Sequence, residues 1–450
     1  MSVQSVTKQY PPHPPYDPIG GHLLSYRRKP LQFLSRNARD YGGIITIKFG
    51  KWYAYQVNDP DLVQQVLVKQ ADKFHKAQIY KHTLSEYLGN GLLISDGAYW
   101  RKQRRLAQPA FHTGRIRAYA DIMTNYTERL LDTWQPGTVR DIDADMMQLT
   151  LYIVAKTLFD ADVSGDSDKV AEALDVLLHS VMDVSRTILR LPAWLPTPAR
   201  SRKQWSIETL HKVVMQVITE RRQTGEDRGD LLSMLLLSED EDGTTMSDIE
   251  IRDESLTIFL AGHETTANAL TWTFYLLSQH PEIEQKLIQE LQAVLNGRTP
   301  ELGDLSALTY TEQVIKESMR LYPPAWSFAR QAVEDVRLGD YDIAKYSAVL
   351  IIPYVIQRDP ANFPNPETFD PERFHPDTEQ THHKYAYLPF GGGARICIGN
   401  NFAMMEAKLI LATILQRYQL TLEPEHRVQP EALVTLRPKY GMKMQLIPRV

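Results

Sequence analysis

The sequence predicts a mainly α-helical protein with small β-sheets, in which a large helical domain carries a β-rich lobe. Helical periodicity covers most of residues 100–279 of the 450-residue chain. Short runs of β-branched and aromatic residues occur only near the start and towards the end. No repeat or linker divides the sequence. We therefore expect residues 1–21, which are rich in proline, to form an extended lead-in, and residues 22–450 to form one domain.

The elements near the start have clear boundary signals. Residues 44–56 alternate as two strands around a turn at Gly50 and Lys51, which predicts a hairpin. Asp59 and Pro60 then open a helix that we expect to reach about Lys69, because Asp is a favoured N-cap and proline is favoured in the first helical turn.

The longest predicted helix runs from Ser247 to Gln279. Ser247 and Glu250 have the spacing of a capping box at its start, and Pro281 marks its end. At roughly 1.5 Å per residue this helix is about 50 Å long, enough to cross a large domain. Three further elements are expected: a helix from Thr309 to Leu321 that starts with a second capping box (Thr309 and Glu312), a buried strand from Val349 to Ile356, and a helix from Phe402 to Tyr418.

Composition excludes some classes of protein. The net charge is −5 and the isoelectric point is about 6.2, which argues against nucleic acid as the main partner. The polar start, Met1 to Gln9, lacks the apolar core of a signal peptide. The longest apolar stretches, such as Met234 to Leu237, are far shorter than the roughly 18 residues needed to cross a bilayer. We expect a cytoplasmic protein without a transmembrane anchor.

The strongest chemical signal surrounds Cys397, the single cysteine of the chain. The segment from Phe390 to Gly399 has the pattern F-x-x-G-x-R-x-C-x-G, expected by chance in about one in 10,000 such chains. Glycines allow a tight turn close to a flat ligand, and a helix that begins near Gly399 favours a thiolate. Arg395 can pair with a propionate. A lone cysteine is usually a small buried apolar residue, but that alternative does not explain the arginine.

With this loop the chain resembles the cytochrome P-450 superfamily of monooxygenases over nearly all of its length. The resemblance implies haem b (heme b, iron protoporphyrin IX) with Cys397 as the proximal ligand of its iron. It also implies that Glu317 and Arg320, an E-x-x-R motif, form a buried network with Arg373 that steadies the Cys397 loop. The alternative for an isolated Glu–Arg pair is a solvated surface pair.

A third motif lies inside the long helix, from Ala261 to Thr266. In relatives this segment crosses the haem, so Ala261 is a candidate cofactor contact, and Glu264 and Thr265 match an acid–alcohol pair that delivers protons to oxygen. The alternative for the segment is a notch at which two helices pack. His263 is expected to be a packing or polar-contact residue. A zinc hydrolase would need H-E-x-x-H, and position 267 is alanine.

A fourth motif is W-x-x-x-R, formed by Trp100 and Arg104, which share one helix face. The resemblance implies that both contact a haem propionate, as does Arg330. The remaining basic residues of this helix are either a solvated face or a docking patch for an acidic electron donor. They are Arg101, Lys102 and Arg105.

The substrate pocket is less well defined. Apolar residues at the matching positions are either substrate contacts or core residues. They are Leu92, Leu93, Phe259, Ala261, Ala325, Trp326, Phe328 and Leu436. The segments 321–326 and 434–438 are similar to those of bacterial members that hydroxylate carotenoids or fatty acids. Gln357 replaces a histidine that is common in relatives, which leaves its local hydrogen bond undefined.

The function that the resemblance implies is hydroxylation of a hydrophobic substrate (a fatty acid, terpenoid or carotenoid-like compound) with O2 and two external electrons. Only 53 residues follow Cys397, so we expect a separate ferredoxin or flavodoxin with an NAD(P)H reductase. The alternatives are a peroxide-driven peroxygenase or isomerase, and a non-enzymatic haem sensor or carrier. Glu264 and Thr265 argue against both, because neither needs a proton-delivery pair.

Overall fold

A computed structural model describes the larger part of the chain: residues 9–18, 20–112, 114, 117–160, 169–170, 172–173, 176, 197–239 and 242–449. Residues 1–8 of the predicted lead-in, and residues 161–168 and 177–196 of the predicted helical stretch, lie outside the described residues. The α-helices are α1 (Leu23–Arg28), α2 (Pro30–Tyr41), α3 (Pro60–Gln64), α4 (Gln78–Leu88), α5 (Gly97–Ala107), α6 (Ala120–Asp132), α7 (Ile142–Phe159), α8 (Pro198–Thr224), α9 (Leu231–Leu237), α10 (Asp248–Gln279), α11 (Pro281–Leu295), α12 (Thr309–Leu321), α13 (Pro353–Ile356), α14 (Pro376–Glu379) and α15 (Asn400–Arg417).

The strands are short and form small sheets, as the sequence predicts. They are β1 (Ile44–Phe49), β2 (Trp52–Val57), β3 (Phe74–Lys76), β4 (Val139–Asp141), β5 (Phe328–Ala332), β6 (Val336–Leu338), β7 (Tyr341–Ile343), β8 (Ala348–Ile351), β9 (Tyr418–Leu422), β10 (Pro430–Ala432), β11 (Leu436–Pro438) and β12 (Lys443–Pro448).

The chain forms two compact units, each with residues from several segments. The β unit comprises Met1–Tyr80, Ala325–Thr368 and Pro376–Cys397. The helical unit comprises Lys81–Pro324, Phe369–His375 and Ile398–Val450. A mainly helical chain with a β-rich part is therefore confirmed, whereas the grouping of residues 22–450 into one domain stays a prediction.

The β unit is built on a five-stranded sheet in the order β1-β2-β8-β5-β3. The predicted hairpin is confirmed, because β1 and β2 pair antiparallel from Ile44–Val57 to Phe49–Trp52. Gly50 in the turn has a φ of +59°, a conformation that glycine adopts without strain. Strand β8 pairs parallel with β2 and antiparallel with β5. Its buried aliphatic side chains pack with those of β1, β2 and β5 to form the core of this unit.

The helix predicted after Asp59 is confirmed, with a change of pitch along it. The Asp59 carboxylate caps α3 by accepting the backbone amides of Asp61 and Leu62 at 2.8 and 3.1 Å. The chain then continues as a wider π-helical turn over Gln65–Lys69. Such turns are uncommon and occur often beside functional segments.

One strand prediction in the β unit is wrong. The predicted strand from Val349 to Ile356 ends at Ile351, and α13 begins at Pro353. Proline has no amide hydrogen and cannot continue the sheet ladder, whereas the first position of a helix tolerates it.

The long helix α10 is the centre of the helical unit. Its predicted capping box is confirmed, since Ser247 and Glu250 bond to each other's backbone amides. It ends at Gln279, and Pro281 begins α11. The helix packs along α7 and is buried over most of its 32 residues. The helix predicted from Phe402 is also confirmed as α15, with Gly399 as its N-cap residue.

The second capping box is wrong, although α12 begins at Thr309 as expected. The start of this helix is capped from outside, because the Glu290 carboxylate of α11 accepts the Tyr310 amide at 2.6 Å. Glu312 does not return to the helix start, and its carboxylate pairs with the Lys408 ammonium at 3.0 Å. A carboxylate from a neighbouring helix has replaced the local cap.

The E-x-x-R network is confirmed as buried and paired. Glu317 and Arg320 have no exposed surface. The Arg320 guanidinium donates two hydrogen bonds to the Glu317 carboxylate, at 2.7 and 2.8 Å. The Asp370 amide donates to the same carboxylate at 2.9 Å, and Arg373 Nε lies 3.4 Å from it. One carboxylate thus ties α12 to the segment around residue 370.

We expect Glu317→Ala to destabilise the helical unit strongly. It leaves two guanidiniums near each other, with Arg320 fully buried, and stranding a buried charge costs about 3–5 kcal/mol. The measurement is the free energy of unfolding, with haem content as a second readout. Glu372→Ala is the control, because Glu372 pairs with Lys286 at the surface, where such pairs contribute little. Equal small losses in both variants would contradict the structural role of Glu317.

Candidate active site

The Cys397 loop closes on itself inside the β unit. The Cys397 amide donates to the Phe390 carbonyl at 2.9 Å, and the Ile396 amide donates to the Gly393 carbonyl at 3.1 Å. A short 3-10 turn over Gly393–Arg395 lies between them. The Cys397 side chain is exposed, which differs from the usual burial of a free cysteine. The loop therefore presents a thiol outward from a hydrogen-bonded turn.

Glycine is required where this loop meets the rest of the β unit. Gly391 and Gly393 have φ values of +70° and +68°. A Cβ atom at Gly393 would lie 2.2 Å from the Leu67 carbonyl oxygen, and one at Gly392 would lie 3.1 Å from the Tyr385 ring. The π-helical turn Gln65–Lys69 is thus the support on which the loop rests. Any larger residue at position 393 would displace the loop.

Gln357 has a defined hydrogen bond that also supports this loop. Its side chain is fully buried, and its Oε1 accepts the Leu388 amide at 2.8 Å. Leu388 precedes Phe390 by two residues. The hydrogen bond of Gln357 that the sequence left undefined is therefore one in which its side-chain oxygen is the acceptor.

Arg330 and Arg395, two predicted propionate partners, belong to the β unit. Arg330 is buried on β5, and its guanidinium lies 5.4 Å from the centre of the Phe328 ring. Its charge opposes the burial that raises the pKa of the Tyr80 hydroxyl. Arg395 is half-buried within the Cys397 loop. A buried guanidinium at Arg330 is suited to bind an anion, because few waters compete for it.

Helix α5 places two predicted residues on one face and the basic residues on another. The Asp96 carboxylate accepts the Gly97 amide at 2.8 Å and so begins the helix. Trp100 and Arg104 are both half-buried, one turn apart. On the other side, Arg101 and Arg105 are exposed and Lys102 is half-buried. Burial therefore separates the exposed Arg101 and Arg105 from the half-buried Trp100, Lys102 and Arg104, and the propionate contacts of Trp100 and Arg104 stay a prediction.

The middle of α10 has one open face. Ala261 is exposed and Thr265 is half-buried, although the residues around them are buried. The Thr265 hydroxyl donates to the Ala261 carbonyl at 2.6 Å, one turn back. A Cβ atom at Gly262 would lie 3.2 Å from the Val154 side chain of α7. The predicted packing notch is thus Gly262, and the adjacent face is open beside Ala261 and Thr265.

Glu264 points to a different side of α10 from Thr265. Its carboxylate is buried, and Oε1 accepts a hydrogen bond from the Thr435 hydroxyl at 2.6 Å. Asn268 Nδ2 donates to the Glu264 carbonyl at 2.9 Å and to the Thr435 hydroxyl at 3.2 Å. Successive residues of a helix lie about 100° apart, so the acid and the alcohol occupy separate faces. The sequence did not identify Thr435, because the 171 residues that separate the partners carry no pairing signal.

The surroundings of Glu264 are acidic and poorly solvated. Asp143 of α7 has its pKa raised to about 7, first by burial and then by Asp141, with a contribution from Glu264. Arg437 opposes this rise. His263 is buried, and burial lowers the pKa of its imidazole to about 4. It is therefore neutral at physiological pH and stacks near Phe259, as expected of a packing residue.

The predicted pocket residues separate by exposure. Leu436 has no exposed surface, and its carbonyl accepts the Trp272 indole N–H at 2.9 Å, so it is a core residue. Phe259 and Trp326 are also buried. Ala325 and Leu93 are exposed, and the other members are exposed or half-buried. The exposed members remain the candidates for substrate contact.

Comparison with known proteins is consistent with this site. The family model described as "Cytochrome P450" matches residues 11–444. The chain belongs to the cytochrome P450 family. It is 39% identical to cyclooctatin synthase of Streptomyces melanosporofaciens over 93% of this chain and 92% of that one. It is 36% identical to pentalenene oxygenase of Streptomyces avermitilis over 96% of each. The crystal structure of the cytochrome P450DA heme domain matches with a TM-score of 0.90, 29% identity and 98% coverage of each chain.

As a cytochrome P450, the protein is a haem b-dependent oxidoreductase and a monooxygenase of hydrophobic substrates, and its family generally uses redox partners. The described residues fit the cofactor. In the β unit, Cys397 is exposed in a loop that requires glycine at positions 391 and 393. In the helical unit, Ala261 and Thr265 leave one face of a buried helix open. None of the helices in the described part of the chain is long and apolar enough to cross a membrane.

If Cys397 is the iron ligand, Cys397→His is expected to abolish the red-shifted Soret band of the reduced carbon monoxide complex. Imidazole gives iron less electron density than thiolate does, so the band should move to the position of a histidine-ligated haem. The measurement is the difference spectrum of purified protein at equal haem content. The control is Gly399→Ala, which keeps the thiol near the helix start. A variant spectrum identical to that of the wild type would contradict the assignment of Cys397.

Proposed function

We propose that this cytochrome P450 hydroxylates a C–H bond of a terpenoid hydrocarbon or alcohol. Support comes from relatives that match nearly full length and whose names specify terpenoid oxidation, including pentalenene oxygenase and cyclooctat-9-en-7-ol 5-monooxygenase. The exposed candidates for substrate contact are aliphatic, so the surface offered to a substrate suits a hydrocarbon skeleton. The observation that carries the proposal is the open face of α10 beside Ala261 and Thr265, where a small side chain leaves room for a substrate.

Cys397 is proposed as the thiolate ligand, since it is the chain's only cysteine and its side chain is exposed. When bound, the thiolate-ligated haem supplies the reductive activation of dioxygen. The proposed contacts to the ring and its propionates follow the resemblance in motif. They are Trp100, Arg104, Ala261, Arg330, Phe390, Arg395 and Gly399.

Glu264 and Thr265 are proposed to supply protons during oxygen activation. The Thr265 hydroxyl is half-exposed and can hold a water at Oγ1 when its bond to the Ala261 carbonyl opens. The Glu264 side chain, buried and bonded to Thr435, is proposed to take up a proton from solvent as a carboxylate and, once protonated, to pass it toward that water by rotating about its side-chain bonds. A peroxide-driven enzyme would not need this pair.

We expect a terpenoid such as pentalenene to shift the Soret band of the wild-type protein, and Thr265→Ala to bind it equally well. The variant should form less product per NAD(P)H, because misdelivered protons release reduced oxygen as hydrogen peroxide. The measurements are an optical titration, the product yield per NAD(P)H and a peroxide assay. Thr265→Ser keeps the hydroxyl and is the control, so it should couple well.

Two results would contradict these proposals separately. A Soret shift with dodecanoic acid but none with terpenoids would show that the substrate is a fatty acid and not a terpenoid. The proposed roles of Glu264 and Thr265 would not be affected by that result. If Thr265→Ala forms as much product per NAD(P)H as the wild type, Thr265 has no role in proton delivery and only bends the helix.

The electron donor is proposed to be a separate acidic protein of the ferredoxin or flavodoxin type, reduced by an NAD(P)H reductase in the cytoplasm. Arg101 and Arg105 of α5 are exposed and Lys102 is half-buried, so a basic face is available on a chain whose net charge is −5. Complementary charge raises the rate of association between such partners.

Reversing two of these charges is expected to slow reduction by the donor. Arg101→Glu with Lys102→Glu should lower the reduction rate at low salt, and the difference should shrink as salt rises, because exposed charges are screened over about 8–10 Å near physiological ionic strength. Stopped-flow reduction measures this rate. Lys212→Glu with Lys443→Glu changes the net charge equally at exposed positions elsewhere and is the control. Equal rates for both double variants would show that α5 is only a solvated face.

A further inference from the structure

Two neighbouring carboxylates of α10 hold the turn that joins α4 to α5. The Asp253 carboxylate accepts the Asn90 amide at 2.7 Å. The Glu254 carboxylate accepts the Leu92 amide at 2.9 Å. These bonds attach both ends of a short backbone segment to consecutive residues of the long helix. We call the segment from Gly89 to Leu93 the clamped turn.

The clamped turn approaches α10 so closely that side chains are excluded at two positions. A Cβ atom at Gly89, where φ is +58°, would lie 2.0 Å from the Asp253 carboxylate. A Cβ atom at Gly91 would lie 2.1 Å from the Thr257 hydroxyl and 2.6 Å from the Asp253 carbonyl oxygen. Two glycines therefore let the turn lie directly on the helix backbone. Such close contact at Gly89 and Gly91 leaves the turn little freedom while the carboxylate bonds hold.

The two carboxylates differ in their electrostatic surroundings. Asp253 accepts two hydrogen bonds from the Arg252 guanidinium, at 2.7 and 3.0 Å. Glu254 has no exposed surface, and its Oε1 has no hydrogen-bond partner among the residues that the structure describes. The pKa of Glu254 is raised to about 8 by burial first and by the charges of Asp253 and Glu250, while the hydrogen bond from the Leu92 amide opposes the rise. At pH 7 the Glu254 side chain is mostly neutral.

Other ionisable groups face this cluster from the adjoining helices. On α5, the pKa of Tyr99 is raised to about 12 by burial and then by Glu250 and Glu254, so this phenol is neutral. On α8, His211 bonds to the Tyr87 carbonyl, and burial lowers the pKa of its imidazole. The half-buried Arg252 is the cation of the cluster. Glu254 is thus the group whose ionisation changes most near neutral pH.

We propose that Asp253 and Glu254 are positioning residues that fix the clamped turn, and with it Leu92 and Leu93, for substrate selection. This inference rests on the proposed function, because Leu92 and Leu93 matter only as contacts to an apolar substrate. A turn held at both ends presents its two leucines in one arrangement. A released turn presents the two leucines in many arrangements, so the enzyme would bind its own substrate less tightly and would discriminate less against other compounds.

The proton on Glu254 determines how firmly the turn is held. Its pKa is about 8 in the closed arrangement, against an ordinary value of 4.5 when the turn opens and water reaches it. Below the lower value the acid is protonated in both states, so the closed state keeps its full stability. As pH rises between the two values only the open state releases the proton, and opening becomes easier by up to about tenfold per pH unit. Above pH 8 both states are ionised and the effect levels off.

Hydrogen exchange of the Asn90 and Leu92 amides in the haem-loaded protein tests this clamp without any substrate. The measured quantity is the protection factor, the intrinsic exchange rate at each pH divided by the observed rate. We expect wild-type protection to fall steadily between about pH 5.5 and 7.5 and to level off above pH 8. Glu254→Gln keeps an oxygen that accepts the Leu92 amide but does not titrate, so its protection should be independent of pH. A flat wild-type curve, which needs no variant to observe, would overturn the proposal.

Optical titration with a terpenoid then tests the consequence for selection. Glu254→Ala removes the acceptor and should raise the dissociation constant about tenfold, the usual effect of losing one buried hydrogen bond. Glu254→Gln should restore near wild-type affinity at pH 7. Asp248→Asn is the matched control on the same helix, because Asp248 pairs with Arg222 at the surface and does not bond to the turn.

The two levels of inference fail in different ways. Exchange that behaves as expected, with a dissociation constant unchanged in Glu254→Ala, would overturn the role in selection and leave the terpenoid proposal standing. A wild-type protein that shows no Soret shift with any terpenoid would overturn the proposed function, even if exchange shows the clamp.

Discussion

A helix that is buried over most of its length must provide a partner for each polar side chain or remove its charge, and α10 shows each of these solutions. Asp253 pairs with Arg252, whereas Glu254 becomes neutral because it has no cation beside it. Glu264 receives the Thr435 hydroxyl. Thr271 returns its hydroxyl to the Ala267 carbonyl, at 2.9 Å. A buried charge without a partner costs so much free energy that it does not persist. The acids of α10 therefore either bond to the segments packed around the helix or become neutral.

In the helical unit, the residues available for chemistry lie where the burial of α10 is interrupted. Ala261 and Thr265 lie in the middle of α10 on a face that is less covered than the residues on either side, while Gly262 on the next face lets α7 approach closely. The same helix therefore supplies a close contact on one side and an open face on another. Small residues serve both purposes, because one side needs backbone proximity and the other needs space. The Glu264 carboxylate lies on another side of the helix, where it accepts a hydrogen bond from the Thr435 hydroxyl.

In the β unit, contacts with neighbouring segments likewise hold the Cys397 loop. The Cys397 loop has no regular secondary structure beyond a short turn, so its shape depends on contacts with segments far away in the sequence. Gly393 rests on the Leu67 carbonyl, and Gln357 holds Leu388 through its amide oxygen. These contacts fix the backbone of the loop that carries the exposed Cys397 side chain. This preorganisation is what a ligand to a large planar cofactor requires.

The sequence by itself determined the helical fold class and the bounds of α10, with Ser247 as its N-cap and Gln279 as its last residue, and it singled out Cys397 as the candidate haem ligand. These features depend on near neighbours in the chain, such as a cap, a proline or a motif of ten residues. Only the tertiary structure decided that Glu290 caps α12, that Leu436 is a core residue, and that Thr435, Asn90 and Leu92 are the partners of acids on α10. Asn90 and Leu92 lie more than 160 positions away in the sequence from Asp253 and Glu254, the acids that they contact. Which side chains meet, and which carboxylate loses its charge, depends on how segments distant in sequence pack, and local patterns carry no record of that packing.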